Sequence, residues 1–179
     1  MIVREARADE LEAIEAIEKS AARRFLGTDA AFIAALPPTP RESLERGLTD
    51  GLLWVAEDGG VLIGFILGVA LGASLHIAEV DVALEAQGCG VGRRLVEKLA
   101  EIARRQGCSA LTLTTDRDVP WNRLLYERLG FVLVDAGIPD ELRGILDAEA
   151  HAGLIAHRRC AMQLDLTPTV IPGLTRNPS

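Results

Sequence analysis

The chain has 179 residues, of which 49% are hydrophobic and 25% charged, with a formal net charge of −7 and three cysteines. That length suits one domain with a full core, and the acidic balance argues against nucleic acid as a partner. Cys89, Cys108 and Cys160 are odd in number, scattered and without metal-ligand spacing, so they read as reduced thiols of a cytoplasmic protein with no metal site.

The first residues lack the apolar run of a signal peptide, and residues 2–5 read as a strand. Asp9 stands where it can cap a helix on which Leu11, Ile14, Ile17 and Ala21 recur at helical spacing. An apolar, irregular connection follows over residues 25–38. Thr39-Pro40-Arg41-Glu42 then combines a capping box with a proline at the first helical position, so a second helix starts there. Residues 52–56 are strand-like, and Asp58-Gly59 signals a hairpin.

Residues 59–78 carry no formal charge, and Gly60, Gly64, Gly68 and Gly72 repeat at every fourth position. Such a stretch is long enough to span a bilayer. Two buried strands fit it better, because Gly72-Ala73-Ser74 offers a turn, four glycines weaken a helix, and no basic cluster flanks it. No membrane association is expected.

The most informative stretch follows. A β-branched strand containing Val80, Asp81 and Val82 runs into Gln87-Gly88-Cys89-Gly90-Val91-Gly92, and a helix with Leu95, Leu99 and Ile102 on one face comes next. Glycines let backbone N–H groups converge, and the helix N-terminus adds partial positive charge, so the turn suits a phosphate. A Walker loop needs Gly-Lys-Ser/Thr, but Arg93 and Arg94 follow Gly92. A dinucleotide fingerprint beginning at Gly88 needs glycine where Arg93 stands.

The helix stops at Gln106-Gly107, and residues 110–114 alternate as a half-buried strand. After Val119-Pro120-Trp121-Asn122 the chain reads Tyr126-Glu127-Arg128-Leu129-Gly130-Phe131. Residues 131–134 suggest a strand, 140–153 a helix and 160–166 a last strand. Residues 167–179, with Pro168, Pro172 and Pro178, are expected to be disordered, which leaves residues 1–166 as the domain.

Gln87-x-x-Gly90-x-Gly92 resembles motif A of the GCN5-related N-acetyltransferases (GNAT), and Tyr126-x-x-x-Gly130-Phe131 resembles their motif B, one helix and one strand later. Together the two motifs are far more specific than either alone, and the resemblance runs from about Ile2 to Leu166. It implies an α/β single domain with the GNAT fold, a central mixed, splayed sheet flanked by helices. It also implies acetyl-CoA as cosubstrate and a small-molecule, peptide or protein amine as acceptor; a homodimer is left open. The backbone around Gly88 to Arg93 would hold the pyrophosphate, and Val80, Asp81 and Val82 would pair with the pantetheine arm like an added strand.

Acetyl transfer needs a neutral amine, a polarised carbonyl and a proton for the departing thiolate. The resemblance assigns the last task to Tyr126, the only tyrosine; the bland alternative is a packed ring. For the base, Glu79 and His76 both stand open. Strand alternation puts His76 with Val80 and Val82 on one face, and Glu79 with Asp81 on the other. Acceptor choice is assigned to residues 25–38, Trp54, Trp121 and residues 140–153. The chain departs from the family at Val119, where asparagine is usual, and Asn122 replaces a small residue, so a contact of Asn122 with pantetheine or substrate follows a different route. A non-catalytic acetyl-CoA-binding sensor or structural subunit is the rival reading, ahead of a membrane-anchored protein.

Overall fold

The computed structural model describes residues 1–167; of the tail expected to be disordered, 167–179, all but Thr167 falls outside them. In chain order the elements are β1 (Ile2–Glu5), α1 (Leu11–Ala22), α2 (Arg41–Thr49), β2 (Leu53–Asp58), β3 (Val61–Leu71), β4 (Ser74–Val82), α3 (Val91–Arg105), β5 (Ala110–Asp116), α4 (Pro120–Arg128), β6 (Val132–Leu133), α5 (Asp140–His151) and β7 (Arg159–Asp165). The strands make one seven-stranded sheet in the order β1-β2-β3-β4-β5-β7-β6. This is the mixed, helix-flanked sheet the sequence implies: β4 and β5 run parallel and every other neighbouring pair is antiparallel.

The uncharged stretch 59–78 forms the centre of that sheet. Gly59 and Gly60 both take positive φ (57° and 83°), which a tight β2–β3 hairpin requires, so the turn sits one residue beyond Asp58-Gly59. Phe65 and Ile66 are fully buried and Leu67 is 1% exposed; helices cover both faces, which is why no polar residue alternates there. On one side α3 packs Leu95 and Leu99 over Ile66, Leu75 and Ile77. On the other, Leu11, Ile14 and Ile17 of α1 and Leu44 of α2 cover Leu53, Val55, Phe65 and Leu67. Among the described residues no helix is long and apolar enough to cross a membrane.

Both expected helix caps differ in detail. Asp9 lies inside a short 3₁₀ turn ahead of α1, and the capping carboxylate is that of Glu10, which accepts the Arg7 N–H at 2.8 Å. Thr39 does not cap α2: its N–H and O–H both donate to Glu18 Oε1, at 2.8 and 3.0 Å. A tertiary acceptor outcompetes the local one and ties the 36–40 segment to α1.

Two irregularities of β4 shape the site. The β4–β5 pairing covers only Ser74–Ile77 against Ala110–Leu113. Beyond it the strands part, which is the expected splay. The register against β3 also slips between Leu67 and Gly68, leaving Ala78 as the extra residue of a bulge.

Candidate active site

The bulge reassigns the faces of β4. Leu75 and Ile77 before it, and Val80 and Val82 after it, all pack into the α3-side core. His76 therefore shares the opposite face with Glu79 and Asp81, where simple alternation separates them. The backbone parity is also fixed. Ala83 N–H donates to Ile63 C=O at 3.0 Å, which makes Asp81 and Phe65 a hydrogen-bonded pair. The N–H and C=O groups of Val80 and Val82 then point away from β3, into the split. There the Val82 carbonyl accepts from the Gln87 side-chain amide at 3.0 Å, and Val80 N–H makes a long 3.3 Å bond to Glu79 Oε1.

The glycine turn ends at Gly90, whose φ of +79° places it in the left-handed region immediately before α3. Gly88 is similar at +78°. From residue 88 to residue 93 no backbone N–H has an acceptor among the described residues; the first bond is Arg94 N–H to Gly90 C=O at 3.2 Å. A row of free donors at a helix N-terminus suits an anion. Arg93 is drawn along the helix to Glu97 at 2.7 Å, so the backbone supplies most of the donors.

The end of α1 buttresses this turn, a role that no local pattern announces. Ser20 Oγ accepts the Leu84 N–H at 3.1 Å. Arg24 donates to Gln87 Oε1 at 2.8 Å and lies 4.5 Å from the Trp121 ring centroid. Phe25 and Trp121 rings stand 6.0 Å apart. Arg24 thus joins the turn as a cation that no local sequence pattern announces, since only tertiary contact brings it to the loop.

Tyr126 owes its setting to its own motif. Gly130, at φ +91°, ends α4, and Phe131 N–H returns to the Tyr126 carbonyl at 3.0 Å. The Phe131 ring then packs edge-on against Tyr126, 5.8 Å between centroids. Tyr126 is 9% exposed. Burial, with the nearby Glu79 and Asp81 charges, drives its hydroxyl upward from 10, so it stays protonated.

Two cavities flank the split. One, of about 560 Å³, runs from the glycine turn past Val80–Val82 to α4, between Gly90, Val91, Gly92, Arg24, Trp121 and Leu125. The other, of about 570 Å³, is walled by Glu18, Glu79, Thr114, Glu149, Arg159 and the apolar 33–38 segment. Val80, Asp81, Asn122 and Tyr126 belong to both. Phe25 does too, whereas Trp54 lies on the α3 side beneath Lys98, outside both walls.

The two candidate bases part company here. His76 is 4% exposed, forms part of neither cavity wall, and its Nδ1 sits 3.0 Å from Thr112 Oγ1. Burial lowers it from 6.5 to about 4, so it is neutral. Glu79 stands in the wall of the second cavity, and burial reinforced by the Glu18 charge pushes it up to about 7. Asp81 is held well above the usual carboxylate range by burial and by Glu79 and Glu18. Glu149 and Arg159 form a fork at 2.8 and 2.9 Å, with Thr114 donating to the same carboxylate. Cys89 is exposed on the turn, its thiol 3.7 Å from Gln87 C=O.

A splayed parallel pair, an open strand edge and a donor-rich turn are the parts the motifs implied. Residues 11–131 match the model of the Acetyltransferase (GNAT) family. The chain belongs to that family. It is 34% identical over 110 residues to a probable glucosamine 6-phosphate N-acetyltransferase 2 of Oryza sativa subsp. japonica, covering 60% of this chain but only 57% of that protein. The fold resembles the ribosomal-protein-alanine N-acetyltransferase of Brucella melitensis, with a TM-score of 0.66, 21% identity and 92% and 99% of the two chains covered. It also resembles the N-acetylglutamate synthase of Neisseria gonorrhoeae, solved with coenzyme A and N-acetyl-glutamate, with a TM-score of 0.70 and 20% identity over 93% of this chain and 35% of that one. At such identities the two structures speak for the GNAT fold alone.

Proposed function

We propose that the protein is an N-acetyltransferase that moves an acetyl group from acetyl-CoA to a primary amine by direct attack. One observation carries this reading: the two cavities meet at Val80, Asp81, Asn122 and Tyr126, so a cosubstrate entering from the glycine turn and an acceptor entering from the opposite side converge at one point. Family membership supports it, as does the coenzyme A bound by a protein of the same fold.

The bound cosubstrate supplies an activated acetyl thioester; the chain's residues do the rest. The free N–H groups of residues 88–93 match a pyrophosphate, and the open edge at Val80 and Val82 matches the amides of a pantetheine arm. An N–H on that edge can polarise the thioester carbonyl. The acceptor arrives as an ammonium, with a pKa of about 10.4 for a lysine-like amine. Glu79, pushed up to about 7, takes one of its protons and passes it to solvent. The nitrogen then bonds to the carbonyl carbon and the carbon–sulfur bond breaks. Tyr126 O–H protonates the departing thiolate, and the amide nitrogen's second proton restores the tyrosine. One proton is released overall. Asn122 faces both cavities and can hold either the pantetheine or the acceptor.

Thermal unfolding and thiol release test this together. Acetyl-CoA and coenzyme A, at a hundred times Kd, should each add about 2.7 kcal/mol and raise Tm, at roughly 2–4 °C per kcal/mol; ATP and NADPH should not. Primary amines should then stimulate thiol release from acetyl-CoA. A Tm rise with no release from any amine would make the protein a sensor, and no rise would remove the cosubstrate.

A further inference from the structure

The acceptor cavity gathers more carboxyl groups than one reacting amine can use. Glu18 of α1 and Glu79 and Asp81 of β4 all line it. Of the cations nearby, Arg159 is forked to Glu149, Arg158 pairs with Asp116 at 2.9 Å, and Lys19 borders the cavity with a solvent-exposed side chain. Glu18 adds an independent sign. Its Oε1 is filled by Thr39, whereas Oε2 is buried with no hydrogen-bond partner among the described residues. A buried carboxylate oxygen without a donor is costly, and a bound cation would relieve it. No group of three or more His, Cys, Asp or Glu among the described residues has the geometry to hold a metal ion.

Part of the wall is apolar: Ile33, Leu36, Pro37 and Pro38 line the same cavity. Methylenes suit such a wall, and ammonium groups suit its charged ends. We infer that the acceptor is an aliphatic amine carrying a second ammonium group, its reacting nitrogen beside Glu79 and Asp81 and its distal nitrogen at Glu18. The inference rests on the acetyltransferase reading above and narrows its acceptor class. It disfavours acceptors whose far end is a carboxylate or a phosphate, which would meet the Glu18 charge with Arg159 already engaged. Burial raises Glu79 and Asp81, Glu18 adds to both, and a cation bound beside them would favour their ionised forms.

Three acceptors of one chain length isolate the distal charge: 1,4-diaminobutane, butylamine and 4-aminobutanoate. With saturating acetyl-CoA, kcat/KM by thiol release should favour the diamine over butylamine by about tenfold or more, with 4-aminobutanoate slowest. Glu18→Gln keeps an oxygen for Thr39, so folding is preserved, and it should lower the diamine-to-butylamine ratio to within about twofold. Equal rates for the three acceptors, or a ratio unchanged in Glu18→Gln, would overturn the inference and leave amine acetylation standing. If acetyl-CoA raises Tm but calorimetry detects neither binding nor acetylation of the diamine, this inference alone falls. If acetyl-CoA leaves Tm unchanged, the acetyltransferase reading falls first and takes the inference with it.

Discussion

At the scale of single residues, the proposed mechanism divides the proton work between Glu79 and Tyr126, and each role has its own signature. Glu79 must be ionised to accept a proton, so kcat/KM should rise with pH through about 7 and then level. Glu79→Gln should abolish that limb and lower kcat/KM by about 10²-fold or more; an unaltered pH profile would remove Glu79 as base. The same residue leaves a mark on stability. Its folded-state pKa lies above 4.5, so between 4.5 and about 7 the folded protein holds more protons than the unfolded chain. Its contribution to stability is therefore full below 4.5 and is lost as pH rises through 7. His76 runs the other way: lowered from 6.5 to about 4, it makes stability grow with pH across that interval. Glu79→Gln should consequently steepen the rise of Tm between pH 4.5 and 6.5. For Tyr126→Phe, the expectation is a kcat lower by about 10²-fold with acetyl-CoA affinity nearly intact. Turnover at the wild-type rate would reduce Tyr126 to a packing residue.

At the scale of elements, two glycines with different jobs give opposite outcomes. Gly68 on β3 lies under α3, where an added Cβ would come within 2.9 Å of Leu99 Cδ1. Gly68→Val should cost about 1–3 kcal/mol by overpacking, read as a lower denaturation midpoint with little change in cosubstrate affinity per folded molecule. Gly90 has open space around it but a φ of +79°. Gly90→Val should therefore act through backbone strain, disturbing the donors of residues 88–93 and weakening acetyl-CoA binding more than it lowers Tm. Normal binding would mean that the pyrophosphate sits elsewhere. Most element boundaries were legible, since hydrophobic period and glycine position encode them locally. The β4 bulge was not. Nothing in Leu75-His76-Ile77-Ala78-Glu79 marks Ala78 as an extra residue; the slip is set by pairing with β3. One residue of slip inverts every later side chain, and that inversion moved His76 to the face of Glu79.

At the scale of the whole molecule, Arg158 joins distant parts around the acceptor cavity. It pairs with Asp116 at the end of β5 at 2.9 Å, donates to the Asp29 carbonyl at 3.2 Å and lies 5.6 Å from the Phe32 ring centroid. Asp116 is only 2% exposed. Removing its cation should leave a buried carboxylate uncompensated, so Arg158→Ala should destabilise by about 3 kcal/mol and loosen the 29–38 wall. The measurement is chemical denaturation together with KM for the amine, which should rise. A denaturation midpoint and KM equal to wild type would show that the pair is dispensable.

The order of strands and helices along the chain, the donor-rich turn at residues 87–92 and the Tyr126–Phe131 helix end could be read from local pattern, because each depends on contacts a few residues apart. Three-dimensional packing was needed to show which candidate base faces the cavity, that Arg24 and Ser20 hold the turn, and that Glu18 joins Glu79 and Asp81. Those groups come from separate elements, and their proximity depends on a bulge and a splay set by strand pairing rather than by local pattern.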